Sequence, residues 1–138
     1  MKVSIVTVTY NSAATVEDTI KSVVNQDYKN IEYIIIDGLS KDNTLDIVNK
    51  YKDKIALVVS EKDQGIYDAI SKGIKKATGD IVVALNSDDM YASNDVISKV
   101  AELFKNSHAD AVYGDLNYVD RNDTTKIVRK WKSGTYKK

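Results

Sequence analysis

The sequence predicts an α/β fold with a mostly parallel sheet flanked by helices, and three features carry that prediction. Residues 3–9 (Val-Ser-Ile-Val-Thr-Val-Thr) are β-branched almost throughout, the pattern of a strand buried on both faces. Further apolar runs at 31–36, 55–60 and 81–85 alternate with segments of helical period. Strands alternating with helices of about 10–15 residues form βαβ units, so the strands pair in parallel through right-handed crossovers.

Each element follows from its residues. Residues 13–25 place Val16, Ile20, Val23 and Val24 at helical spacing, with Asn11 or Ser12 available as cap. The second strand, 31–36, runs into Asp37-Gly38, and 43–52 read as a short helix capped by Ser40 or Asp42. A third strand covers 55–60. Residues 65–77 set Ile66, Ile70, Ile74 and Ala77 on one helical face, and Gly79 is placed to end that helix. The fourth strand, 81–85 (Ile-Val-Val-Ala-Leu), reads as too apolar to be exposed and leads into Asn86-Ser87-Asp88-Asp89. Ile97, Val100 and Phe104 stripe a fourth helix over 94–106, and 111–119 and 126–131 read as further strands. Strand 3–9 is expected at the centre, between 31–36 and 81–85.

Composition narrows the function. A chain of 138 residues fits a single domain, 1–138, since domains usually run to about 100–200 residues. Twenty Lys+Arg balance 20 Asp+Glu, which argues against a nucleic-acid binder that works by phosphate neutralisation. With no Cys there is no disulfide framework, zinc knuckle or thiol nucleophile. No apolar run approaches the roughly 18 residues of a membrane span, and the N-terminus shows no signal-peptide core, so a cytoplasmic protein is expected. The chain has no Pro and only 6 Gly, and nothing in it resembles a linker.

In parallel sheets ligands bind beyond the carboxyl ends of the strands. The segments leaving those ends are Thr9-Tyr10-Asn11, Asp37-Gly38, Glu61-Lys62-Asp63 and Asn86-Ser87-Asp88-Asp89. They are rich in carboxylates and nearly free of basic side chains, so an anionic ligand there calls for a divalent cation. Asp88 and Asp89 are adjacent oxygen donors of the kind that suits Mg²⁺ or Mn²⁺ together with substrate phosphates. An acidic loop capping the next helix, with Asp88 or Ser93 as cap, fits the same residues. Asp37 can accept from the imide of a base or from a ribose hydroxyl, while Asp42 and Thr44 suit turn and cap chemistry. The first strand–helix turn, Thr9-Tyr10-Asn11-Ser12, lacks both the glycine-rich dinucleotide fingerprint and the P-loop. Tyr10 can stack on a base there, or simply close the turn as a partly buried ring. Asp68 sits in a helix's first turn, where negative charge is favourable without any ligand, and Lys72 can pair with it. His108, the single His, reads as a solvated residue at a helix end, and Trp131 as packing or the wall of an acceptor groove.

Taken together these segments resemble the family 2 inverting glycosyltransferases of GT-A fold. The resemblance rests on Thr9-Tyr10-Asn11, Asp37-Gly38-x-Ser40-x-Asp42-x-Thr44, Ser60-Glu61-x-Asp63-x-Gly65-Ile66-Tyr67-Asp68-Ala69, Gly79-Asp80 and Asn86-Ser87-Asp88-Asp89, in that order over most of residues 1–120. It implies a nucleotide-sugar donor, a Mn²⁺ or Mg²⁺ ion, and transfer to an acceptor hydroxyl with inversion. By resemblance Tyr10 and Asp37 contact the base, Thr9 the region of base and ribose, Asp88 the ribose or metal, and Asp89 the metal bridging the diphosphate. Asn11 and Asp68 complete the nucleotide site, Asp68 and Lys72 being the weaker correspondences. An imide-reading Asp37 favours a UDP-sugar. The Gly65-Ile66-Tyr67-Asp68 segment is similar to bacterial enzymes that build surface polysaccharides, which implies a saccharide or lipid-linked saccharide acceptor. Asn86 stands where the family usually has Asp.

The family's catalytic base is a carboxylate well beyond the metal motif. Asp115, Asp120 and Asp123 follow towards the end of the chain, none in a segment that matches it, so the base is expected beyond residue 138 and the chain reads as the donor-binding part of a longer enzyme. A nucleotidyltransferase of the same fold class would need a basic glycine-rich first loop, and a phosphoacceptor domain an acidic pair after the first strand. A non-catalytic nucleotide-binding fragment remains the rival reading of the chain by itself.

Overall fold

β1 (Val3–Thr9) is buried at all seven positions, as its uninterrupted run of β-branched residues requires. In the computed structural model, which describes residues 1–136, it lies inside a four-stranded parallel sheet of order β3-β2-β1-β4. Its neighbours are β2 (Ile31–Asp37) and β4 (Ile81–Asn86), and β3 (Leu57–Ser60) pairs with the far side of β2. Register aligns Thr9 with Asp37 and Asp37 with Ser60, while Val8 faces Asn86. The carboxyl ends of all four strands therefore form one edge.

Two compact units are present: residues 1–102, and the chain from Leu103 onward. In the first, α1 (Val16–Val24), α2 (Thr44–Asn49) and α3 (Ile66–Lys76) fill the crossovers, with a 3-10 turn at Lys52–Lys54 before β3. Val6 and Val8 of β1 and Ile34 and Ile36 of β2 pack with Ala69 of α3 on one face. The opposite face buries Ile5, Tyr33 and Ile35, and the Tyr33 hydroxyl donates to Thr7 Oγ1 at 3.1 Å. Gly73 lets α3 lie close on the sheet, since a Cβ there would stand 2.2 Å from Val6 Cγ1. At the amino edge, burial raises the pKa of Glu32, but hydrogen bonds from Ser4, Thr78 and Lys2 outweigh it and pull it down to about 2.

α4 (Val96–Asn106) begins in the first unit and continues into the second, where β5 (Leu116–Val119) and β6 (Ile127–Trp131) form an antiparallel hairpin. Every residue of β6 is exposed, and Trp131 keeps 46% of its surface, so no packing role is seen for it among the described residues. The Arg129 guanidinium lies 5.8 Å from the centroid of the Tyr118 ring. His108 is exposed just beyond α4, as its sequence context implies.

Several local expectations are corrected. β4 is the sheet's edge strand, and its Val82 is 42% exposed; a short apolar run records strand propensity as readily as burial. α1 starts after Thr15, with no side-chain cap; Ser12 instead offers its carbonyl to the N–H groups of Thr15 and Val16. Asn43, not Ser40 or Asp42, stands at the N-cap of α2. Gly79 does not end α3, whose C-cap is Ala77; it lets the backbone pass β1, where a Cβ would meet Lys2 O and Ser4 N at 2.8 Å. The opening turn of α4 is served by Gln26, whose Oε1 accepts from Ile97 N at 3.0 Å.

Candidate nucleotide and metal site

The three loops that leave β1, β2 and β4 are joined by side chains of their own sequence. Asp37 ends β2 fully buried. Its Oδ1 accepts from Thr9 Oγ1 at 2.8 Å and Ser40 Oγ at 2.5 Å, and its Oδ2 from Ser40 N at 3.0 Å and Ser60 Oγ at 2.7 Å. Four donors fill the carboxylate's acceptor sites. Burial alone would raise the pKa of Asp37; the bonds from Ser40, Ser60 and Thr9 outweigh it and hold the group below its ordinary value.

The β2–α2 loop then reaches back to the β1–α1 turn. Ser40 Oγ accepts from Asn11 N at 2.9 Å, Asn11 Oδ1 from Lys41 N at 2.8 Å, Thr44 Oγ1 from Ser12 N at 2.8 Å and Asp42 Oδ2 from Ala13 N at 3.1 Å. Ser40, Asp42 and Thr44 thus pin a neighbouring loop as well as turning their own. Positive φ at Asn11 (48°) and Leu39 (60°) marks the two places where the backbone is bent to allow this. The main chain of Tyr10 bonds Ser12 Oγ, but the residue is 61% exposed at the sheet's carboxyl edge, which suits stacking and not a partly buried ring closing the turn.

Ser12 Oγ also lies 2.7 Å from Ser87 Oγ and so ties the first turn to the acidic loop. Asp88 and Asp89 are exposed there, and among the described residues no ion pair neutralises either. The pKa of Asp89 is raised, first by desolvation and then by the Asp88 charge, against a hydrogen bond from Asn86. Neither Asp88 nor Ser93 caps α4; Ser93 Oγ donates to Asp95 instead. No cluster of three His, Cys, Asp or Glu side chains able to hold a metal occurs among the described residues. Two unneutralised carboxylates fit a cation that takes its remaining oxygens from phosphate and water, as Mg²⁺ and Mn²⁺ commonly do.

Asp68 belongs to a separate group at the start of α3. Its Oδ2 accepts from Gln64 N at 3.0 Å and lies 3.2 Å from Lys72 Nζ, which also meets Glu61 at 3.2 Å and Lys62 O at 2.8 Å. Lys72 is thereby fully partnered and fastens the loop after β3. That loop carries Asp63 across Gly38, where a Cβ would meet Asp63 Oδ2 at 2.4 Å, and Gly65 takes φ +110° to open the helix.

The parallel sheet with its sites along the carboxyl edge is the Rossmann-like GT-A fold of nucleotide-sugar transferases. The chain belongs to glycosyl transferase family 2, whose model matches residues 4–138. It is 33% identical over 117 residues to the PGL/p-HBAD biosynthesis glycosyltransferase of Mycobacterium bovis, covering 82% of this chain and 46% of that protein. S. aureus TarS 1-349, solved in complex with UDP-GlcNAc, matches with a TM-score of 0.74 and 30% identity over 80% of this chain and 33% of its own. The mannosyltransferase PcManGT of Pyrobaculum calidifontis, in complex with GDP-Man and Mn²⁺, gives a TM-score of 0.70 and 25% identity over 90% and 37%. The chain therefore spans less than half the length of the relatives it matches. No helix among the described residues is long and apolar enough to cross a membrane.

Proposed function

We propose that this chain is the donor-binding part of an inverting, metal-dependent glycosyltransferase that takes a UDP-sugar and acts in polysaccharide biosynthesis. The observation that carries the reading is the unneutralised Asp88–Asp89 pair, tied through Ser87 and Ser12 to the turn that presents Tyr10. Tyr10 stacks on the base, Thr9 and Asn11 shape the pocket wall, and Asp88 meets the ribose or shares the metal. The saturated carboxylate of Asp37 supports a role in holding the base-binding loop, with imide recognition available where Ser40 or Ser60 yields its bond. Asp89, with Asp88 beside it, would hold a divalent cation, which would supply Lewis-acid stabilisation of the diphosphate charge. Asp68, held by Gln64 N and Lys72 at the start of α3, is a further contact to the nucleotide in this reading.

The base that deprotonates the acceptor hydroxyl is placed beyond residue 138. Three of the later carboxylates are already engaged: Asp115 accepts from Ser133 N and Oγ, 18 positions further on, while Asp120 and Asp123 are held in local turns by Asn122 N and by Thr125 N and Oγ1. Hydrogen bonds from Ser133 lower the pKa of Asp115, and those from Thr125 lower that of Asp123, which makes both poorer bases. The acceptor is a saccharide or lipid-linked saccharide, reached in the cytoplasm with peripheral membrane contact.

Calorimetric titration of the chain with UDP, GDP and dTDP, each with and without Mn²⁺, tests the donor site. UDP binding that strengthens at least tenfold with Mn²⁺ is expected, and affinity indifferent to metal would overturn the reading. Labelled UDP-sugars with Mn²⁺ and lipid-linked saccharides should give no multiple-turnover transfer; robust transfer would place the base inside residues 1–138.

A further inference from the structure

The acidic loop is held less by the strand it leaves than by α1. Ser87 bonds Ser12, which opens the turn into α1. Thr19 Oγ1 then donates to the main-chain carbonyl of Asp89 at 2.7 Å. Ser22 Oγ accepts from Tyr91 N at 3.1 Å, and Gln26 Nε2 donates to Ser93 O at 2.7 Å. Just past the helix, Asp27 N donates to Asn94 O at 2.8 Å, and the Asp27 carboxylate accepts from Ser98 Oγ. Thr19 and Ser22, at i and i+3 on one face of α1, and Gln26, just past its C-cap, each grip a backbone group of the loop about two residues further on.

We propose that Thr19 is the positioning residue of the metal site, acting through the backbone of Asp89. The inference rests on the reading of Asp89 as metal ligand given above. Asp89 is fixed at two points: its N–H donates to Asn86 O at 3.1 Å, closing the turn out of β4, and its carbonyl is held by Thr19. With its N–H and its carbonyl both held, Asp89 has the direction of its Cα–Cβ bond set before any cation arrives. Thr19 is 1% exposed, so its hydroxyl contributes nothing to solubility. Val would fill the same volume without the bond, and Ser would keep the bond without the methyl. Groups that orient a metal ligand typically govern about 10- to 100-fold in metal affinity.

The test compares wild type, Thr19→Val, Thr19→Ser and Asp89→Asn. Mn²⁺ affinity is read by electron paramagnetic resonance in the presence of UDP, and UDP affinity by calorimetry without metal. Thr19→Val should lose about tenfold in Mn²⁺ affinity while metal-free UDP binding stays at the wild-type value. Thr19→Ser should restore most of the Mn²⁺ affinity, and Asp89→Asn should abolish the metal-dependent increment. Wild-type Mn²⁺ affinity in Thr19→Val, beside a defective Asp89→Asn, overturns the inference and leaves the metal reading intact. Equal loss of metal-free and metal-dependent binding in Thr19→Val overturns it as well, since that is the mark of general loosening. Unchanged Mn²⁺ affinity in Asp89→Asn overturns the metal reading and this inference with it. Should Thr19→Val fail to fold, Ser22→Ala, which frees Tyr91 N, is expected to show the same split between metal-dependent and metal-free binding, and its absence overturns the inference.

Discussion

Two carboxylates at the carboxyl ends of the strands that flank β1 live under opposite conditions. Asp37, at the end of β2, is fully buried, accepts four hydrogen bonds and has a lowered pKa. Asp89, past the end of β4, has no cationic partner among the described residues, sits against Asp88 and has a raised pKa. The same side chain at the same edge is in one case complete within the fold and in the other lacking positive charge. That difference separates a residue that builds the donor site from one left to bind within it. The loops around them differ too: Ser40, Asp42 and Thr44 of the β2–α2 loop all have hydrogen-bond partners, whereas the acidic loop buries the Tyr91 hydroxyl without one among the described residues.

The sharpest break of the comparison is at Asp89. Asp89→Asn should abolish the gain in UDP affinity brought by Mn²⁺, while thermal unfolding of the metal-free protein holds or rises because repulsion from Asp88 is relieved. A fall in metal-free stability would make Asp89 a structural acid like Asp37. The converse substitution, Asp37→Asn, should cost at least the ~1–3 kcal/mol of an unsatisfied buried group, because the new amide faces hydroxyl and N–H donors. Chemical denaturation measures it.

pH should pull the two sites apart. Asp37 contributes stability that is present above its unfolded pKa of 3.8 and is lost as pH falls through its lower folded value. Asp89 runs the other way. Its ionised form costs stability above its raised folded pKa, and that cost is gone below the unfolded value of 3.8. The stability gained by Asp89→Asn should therefore be largest near neutral pH and vanish on acidification below 3.8, as unfolding midpoints across a pH series would show.

Smaller effects are expected from the exposed and the orphaned rings. Tyr10→Ala should weaken UDP binding by about 1 kcal/mol, the low end for loss of a base–aromatic stack, with no change in metal dependence by calorimetry. Tyr91→Phe should stabilise the protein by about 1 kcal/mol in denaturant melts, because it removes a buried hydroxyl that has no partner.

Most of the fold was legible in the chain. The β-branched run at residues 3–9 could only be a strand buried on both faces, and alternation of strands with helical periods left parallel pairing as the economical solution. The edge position of β4 was not legible, because Val82 and Ala84 read the same in an edge strand as in a central one. The C-terminal end of α2, at Asn49 rather than residue 52, and the caps were missed, since Ser, Thr, Asp and Asn side chains choose among their own turn, a helix end and a neighbouring loop only once that loop is present.

Which residues reach the carboxyl edge follows from strand length and the turn residues after each strand, which put Thr9, Tyr10, Asn11, Asp37, Asp88 and Asp89 there whatever their partners. What each does at that edge depends on contacts between elements far apart in the chain. Ser40 and Ser60 converge on Asp37 from different segments, and Thr19 reaches Asp89 across 70 positions of chain. A carboxylate's charge state follows from the number of donors aimed at it, and those donors come from elements that meet only when the sheet and α1 pack together.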